Sequence, residues 1–169
     1  MQDTTKKAAL ENRHSSDDIL EKKAHIFGGL FLLANRLQAL GDGLDDKITL
    51  KQWLFIASII GSEQVSLAIT ELANYIGTSR QNAKKMATIL EKKGFVALER
   101  DKSDARILRV SLTDKCTDYL AKRSKLENQF IERLFLEIDE EIINKTSIGI
   151  SALLNNVIEM ENEISQEKG

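Results

Sequence analysis

Residues 70–113 read TELANYIGTSRQNAKKMATILEKKGFVALERDKSDARILRVSLT, and the order of parts in this stretch decides the fold. A short helix carries Leu72 and Ala73 on its inner face. It is followed by Gly77, where the chain must bend sharply and a residue without Cβ costs least. Ser79 is placed to cap the next helix, since its hydroxyl can accept from one of the unpaired first amides. From Arg80 to Lys93 the apolar residues Ala83, Met86, Ala87 and Leu90 recur at helical spacing, which leaves Arg80, Gln81, Lys84, Lys85 and Thr88 on the other side. Gly94 is a natural helix stop. Phe95 to Arg100 and Ile107 to Leu112 then read as two short strands around the loop DKSDAR.

Helix, turn, basic helix and charged hairpin are the parts of a winged helix-turn-helix, with the DKSDAR loop as the wing. Residues 80–109 hold nine Lys or Arg against four Asp or Glu, so this stretch carries +5 on a chain whose net charge is −2. The remainder is therefore −7. The acidic sum, with a sequence pI of about 5.8, hides a local concentration of cations, and it is the local charge that meets phosphates.

The chain resembles the MarR family of bacterial transcriptional regulators. The residues that carry the resemblance are ITLKQWLFI, then ELA, LEKKGFV, and the hairpin ERDKSDARILRVSLTDK with its Asp-x-x-Asp-x-Arg loop followed by Val-x-Leu-Thr. It extends from about Ile26 to Ile164. Cys116 departs from it, standing where the family more often has glycine, and so does the Lys84–Lys85 pair. The resemblance implies a mainly α fold with a small β-hairpin wing, a winged helix-turn-helix set between N- and C-terminal dimerisation helices. It also implies a supporting role for Asp104 in the wing, and an effector site for small aromatic or anionic compounds between the dimer helices and the reading head.

Outward from the reading head, residues 1–16 are polar and without periodicity and read as an arm. A helix is expected from near Asp17 to about Leu40, with Ile26, Leu30, Leu33, Leu37 and Leu40 at alternating spacings of four and three. Phe27, Phe31 and Ala34 add a second stripe, so this helix is expected to be buried on two sides. Thr49 and Gln52 form a capping-box pattern before a helix whose inward face is Trp53, Ile56, Ile59 and Ile60. Beyond the wing a helix runs from Thr113 to about Ile138, and Asp139, Glu140 and Glu141 open a last one. In it Ile150, Leu153, Val157, Met160 and Ile164 again alternate three and four. The organisation is thus one compact domain, with a helical dimerisation region at 17–48 and 113–169 and the winged helix-turn-helix at 49–112. The dimer interface falls on Ile26, Leu30, Leu33, Leu37, Ile150, Leu153, Val157 and Met160; packing within one chain is the alternative for these stripes.

The functional reading is a homodimeric, sequence-specific regulator of transcription that binds double-stranded DNA with an inverted repeat. Repression released by a small-molecule effector is its simplest form. Each protomer lays residues 80–93 in the major groove with Ser79 at the leading end. Gln81 and Lys85 reach base edges, Asn82 joins them after a slight rotation, and Arg80 and Lys84 clamp phosphates. In the wing, Lys102, Ser103 and Arg106 reach the neighbouring minor groove or its phosphates, with Asp104 pairing a wing arginine to hold the hairpin. The alternatives are a winged-helix interaction module without DNA binding, and a thiol-based sensor using Cys116, near a helix start and beside Lys115.

An enzyme is not indicated: a phosphate-binding glycine loop, a nucleophile elbow and a His-Glu-x-x-His pattern are all missing from the sequence. One cysteine and two histidines, His14 and His25, make no recognisable ligand set, so no metal or cofactor is expected. The longest mostly apolar run, Ile26 to Ala34, is too short to span a bilayer, and a cytoplasmic protein without membrane attachment is expected.

Overall fold

The computed structural model describes the chain from Gln2 to Glu167, with side chains from Asp18 to Glu167. The elements are α1 (Gln2–Asp42), α2 (Leu50–Gly61), β1 (Leu67–Ala68), α3 (Ile69–Tyr75), α4 (Arg80–Lys92), β2 (Val96–Arg100), β3 (Leu108–Leu112), α5 (Asp114–Leu134) and α6 (Glu140–Glu167). The chain divides into two units, Met1–Thr117 and Asp118–Gly169.

The first unit contains the reading head. Its sheet is antiparallel in the order β1-β3-β2, with Leu98 opposite Val110, Glu99 opposite Arg109 and Leu67 also opposite Val110. Strand alternation therefore gives the sheet one apolar face and one polar face. The apolar face packs with α2, α3 and α4 around Phe55, Ile56, Leu72, Ala83, Ala87, Leu90 and Val110, each fully buried. Ile48 and Cys116 are buried as well.

Local chemistry sets the helix ends. Thr49 accepts from the Gln52 N–H (3.2 Å) while the Gln52 side chain accepts from Thr49 N–H (3.4 Å), completing the capping box. Gly77 and Gly94 both have positive φ, +62° and +75°, which is the left-handed region where a Cβ is costly. Thr113 joins wing to α5: its hydroxyl donates to Gly94 O (2.7 Å) and accepts from the Cys116 N–H (3.2 Å). Asp139 caps α6 by accepting from the Ile142 N–H at 2.8 Å.

Several expectations need correction. The first helix begins at Gln2 rather than near Asp17, because a run such as KKAALENR has good helix propensity without the apolar periodicity used to find it. The side chains of residues 1–17, His14 and Asp17 among them, lie outside those described. On α2, Ile56 and Ile59 are buried as expected and Trp53 is half-buried, but Phe55 is also fully buried while Ile60 is 53% exposed. The two-residue strand β1 is too short to show alternation and was not foreseen. The fifth helix stops at Leu134, ahead of Glu137 at φ +62°, rather than at Ile138.

The largest difference concerns α1. Both of its stripes, expected inside, are open in the single chain: Ile26 and Leu33 are each 50% exposed, Phe27 and Phe31 more so. In the second unit, none of the described residues of α6 is buried, and Ile150, Leu153, Val157 and Met160 are all exposed. Among the described residues no helix is long and apolar enough to cross a membrane.

Candidate nucleic-acid interface

Helix α4 is built to show one polar face. Ala83, Ala87 and Leu90 are fully buried, and their spacing of four and three anchors one side of the helix against the core. At 3.6 residues per turn the opposite side is the row Gln81, Lys85, Thr88 and Lys92. Arg80 and Lys84 stand on one flank and Asn82 on the other. Ser79, Arg80, Gln81, Asn82, Lys84 and Lys85 are all exposed. Of the residues expected to meet DNA, Gln81 and Lys85 thus lie on the outward row, with Arg80 and Lys84 beside them. Lys92, on the outward row, was not singled out and is exposed as well.

The amino end of α4 is open. Ser79 accepts from the Asn82 N–H at 3.2 Å, which satisfies one of the first amides and leaves others pointing along the helix axis toward solvent. Among the described residues no hydrogen bond or ion pair engages the side chains of Arg80, Lys84, Lys85, Lys92 or Lys102. These five cations are available to a partner.

Lys93 and Arg100, by contrast, hold the scaffold. Lys93 donates to Lys47 O and to Gln52 Oε1 (3.1 Å), tying the end of α4 to the start of α2. Arg100 Nη1 donates to Ala105 O at 3.0 Å across the wing. Lys115, just outside the stretch, donates to Lys93 O (2.6 Å) and lies 5.6 Å from the centre of the Phe95 ring.

In the wing, Lys102, Ser103 and Arg106 are exposed. Asp104 accepts from Arg106 Nε (3.1 Å) and from the Arg106 N–H (2.9 Å), which is the pairing expected for it. The Arg106 side chain is nevertheless 92% exposed, so this contact is weak and the guanidinium remains accessible. A second acidic group matters more. Asp101 accepts from Ser103 Oγ, from the Ser103 N–H (2.8 Å), from the Asp104 N–H (3.2 Å) and from Arg109 Nε. These bonds, those from Ser103 first and that from Arg109 next, hold its carboxyl far below the usual range, and the same pair raises the Arg109 pKa. Sequence reasoning left both residues without a role. The signal was present only as register, since Glu99 pairs with Arg109 and so brings Asp101, just past the end of β2, to the same side.

Cys116 is fully buried, and burial pushes its thiol pKa up. That is opposite to the shift a reactive thiol needs.

The sequence profile of the MarR family matches residues 48–108. Over 133 residues the chain is 24% identical to the transcriptional repressor MprA of Escherichia coli (strain K12), a match spanning 78% of this chain and 73% of that protein. Among solved structures, a MarR protein from Peptoclostridium difficile superposes with a TM-score of 0.75 at 21% identity, over 83% of this chain and 92% of that one. Sco3205 of Streptomyces coelicolor, a MarR family regulator solved in complex with DNA, superposes with a TM-score of 0.71 at 19% identity, over 80% of this chain and 87% of that one.

Proposed function

The chain carries the reading head of the MarR family across residues 48–108, and from that premise we propose that it is a sequence-specific double-stranded DNA-binding regulator of transcription, acting as a homodimer. The observation that carries the reading is the outward row of α4. Gln81 and Lys85 project away from buried Ala83, Ala87 and Leu90, flanked by cations that no described residue engages. Such a face has the width and chemistry to enter a major groove, amino end first. Gln81 can bond an adenine edge with both its amide atoms, and Lys85 can reach guanine. Arg80 and Lys84 bind phosphates on the flank, and Lys102 and Arg106 do so from the wing. That Sco3205 is crystallised on DNA agrees with this assignment.

Two copies are needed to cover the apolar seams. Ile26, Leu30 and Leu33 on α1, with Ile150, Leu153, Val157 and Met160 on α6, remain exposed in one chain, and Leu37 is half-buried. Exposed rows of this kind mark protein interfaces. A two-fold dimer would present its α4 helices about 34 Å apart, which matches an inverted repeat with half-sites about 10 bp apart. Repression by exclusion of polymerase is the simplest outcome, and a small molecule relieves it if it binds one spacing of the heads better than the other.

Selection of bound duplexes from random DNA by the full-length protein, at two salt concentrations, tests this reading. The expected product is an inverted repeat whose affinity falls steeply with salt. Recovery of no enriched sequence at either concentration would leave a winged-helix interaction module instead.

A further inference from the structure

Arg109 sits at the centre of a polar network that joins the wing to the rest of the reading head. It leaves the middle of β3 on the polar face of the sheet, opposite Glu99. Its Nε donates to Asp101 Oδ2 at the start of the wing loop, and its Nη1 donates to Ser66 O, 3.4 Å away, in the segment that leads into β1 and α3. Asp101 in turn accepts from the backbone of Ser103 and Asp104, fixing the turn from which Lys102 and Arg106 project. An open cleft lies over this pair, lined by Ser66, Glu99, Arg100, Lys102 and Ser103 as well. The exposures separate two kinds of arginine: the Arg109 side chain is 35% exposed and its Asp101 partner 11%, against 92% for Arg106.

We propose that Arg109, through Asp101 and Ser66, is a positioning residue that sets the height and angle at which Lys102 and Arg106 meet DNA, and is not itself a phosphate contact. The inference rests on the DNA-binding reading. The loop from Asp101 to Ile107 has neither glycine nor proline to fix a tight turn, so its tip would otherwise sample many orientations. Ordering it only on binding would cost conformational entropy, and a loop already held loses less. The electrostatics sharpen the distinction. A carboxylate near phosphates is repelled by them, so neutralising a bystander Asp101 should strengthen DNA binding. Neutralising a positioning Asp101 should weaken it.

The test uses the full-length protein with Arg109→Met, Asp101→Asn, Arg106→Ala and the double variant Arg109→Met/Arg106→Ala, measured on one fixed A·T-rich duplex across a salt series. Arg109→Met and Asp101→Asn are each expected to lower affinity by about tenfold and to flatten the salt slope similarly, because both release the same cations. Arg106→Ala should be costly alone and add little on top of Arg109→Met. Tighter or unchanged binding by Asp101→Asn overturns the inference, as does full additivity of Arg109→Met and Arg106→Ala. In the free protein, amide exchange should quicken across residues 101–107 in Arg109→Met while α4 keeps its protection; equal protection in the wing also overturns it. Should the wild type ignore every duplex, the DNA reading fails, and the exchange measurement still decides whether Arg109 orders the wing.

Discussion

Gln81 and Lys85 lie four residues apart on the side of α4 that faces away from Ala83 and Leu90, so their task follows from the length and polarity of two side chains. Gln81→Ala should cost about 1 to 3 kcal/mol on the selected duplex and almost nothing on unrelated DNA, read by titration of both. Lys84→Ala should weaken all duplexes alike and lower the salt slope by about one. Asp101 has a different signature. Its folded pKa is depressed, so the stabilisation it gives is fully present above the unfolded value near pH 3.9 and is lost only as pH falls through the lower folded value. The carboxyl carbon shift of Asp101 should therefore still report the ionised form at about pH 3, where a free aspartate is mostly protonated. Arg109→Met should restore only part of the shift, because Ser103 supplies the largest contribution. An ordinary titration near pH 3.9 in the wild type would contradict the wing network. The outward row of α4 was legible from period alone. Arg109 was not, since a cation in a strand reads the same whether it faces a phosphate or a carboxylate eight residues away.

At the scale of elements, the ends carry the information. Ser79 holds the first turn of α4, the end that leads into DNA, and Ser79→Ala should lower stability by about 1 kcal/mol in urea denaturation. Gly94, at φ +75°, lets the chain leave α4 and enter β2. An alanine there must take a left-handed conformation at a cost of about 1 to 2 kcal/mol, and its Cβ would also lie 3.3 Å from Lys115 Nζ. Loss of less than a few tenths of a kcal/mol in Gly94→Ala would mean that the turn is not set by this residue. Caps, the glycine stop and both wing strands could be read from the sequence because each depends on residues close in the chain. The face of α2 could not be read fully. Four large apolar residues, Phe55, Ile56, Ile59 and Ile60, compete for the inward side, and the packing of α2 against α3, α4 and β3 selects Phe55 over Ile60.

For the whole molecule, the described core lies between Ile48 and Cys116, while α1 and α6 expose long apolar rows. A protein of this size can bury its own core, and the rows are the seam proposed above for a second chain. Leu153→Glu places a charge in the proposed seam and should shift sedimentation from a dimer to the 19.0 kDa species with loss of binding to the inverted repeat. Helix content should be unchanged, because no described residue of α6 is buried in the single chain. A wild type that sediments as 19.0 kDa at micromolar concentration would remove the dimer. The sequence by itself determined the order of elements, the caps, the buried and outward sides of α4 and the concentration of cations around it, because helical period, capping and charge density are all local properties. Only the tertiary structure decided which of those cations are free. Pairing of β2 with β3 commits Arg109 to Asp101, and packing of α4 against α2 commits Lys93 to Gln52. The first contact spans eight residues across the hairpin and the second 41; their meeting depends on strand register and helix packing and leaves no periodic trace in the sequence.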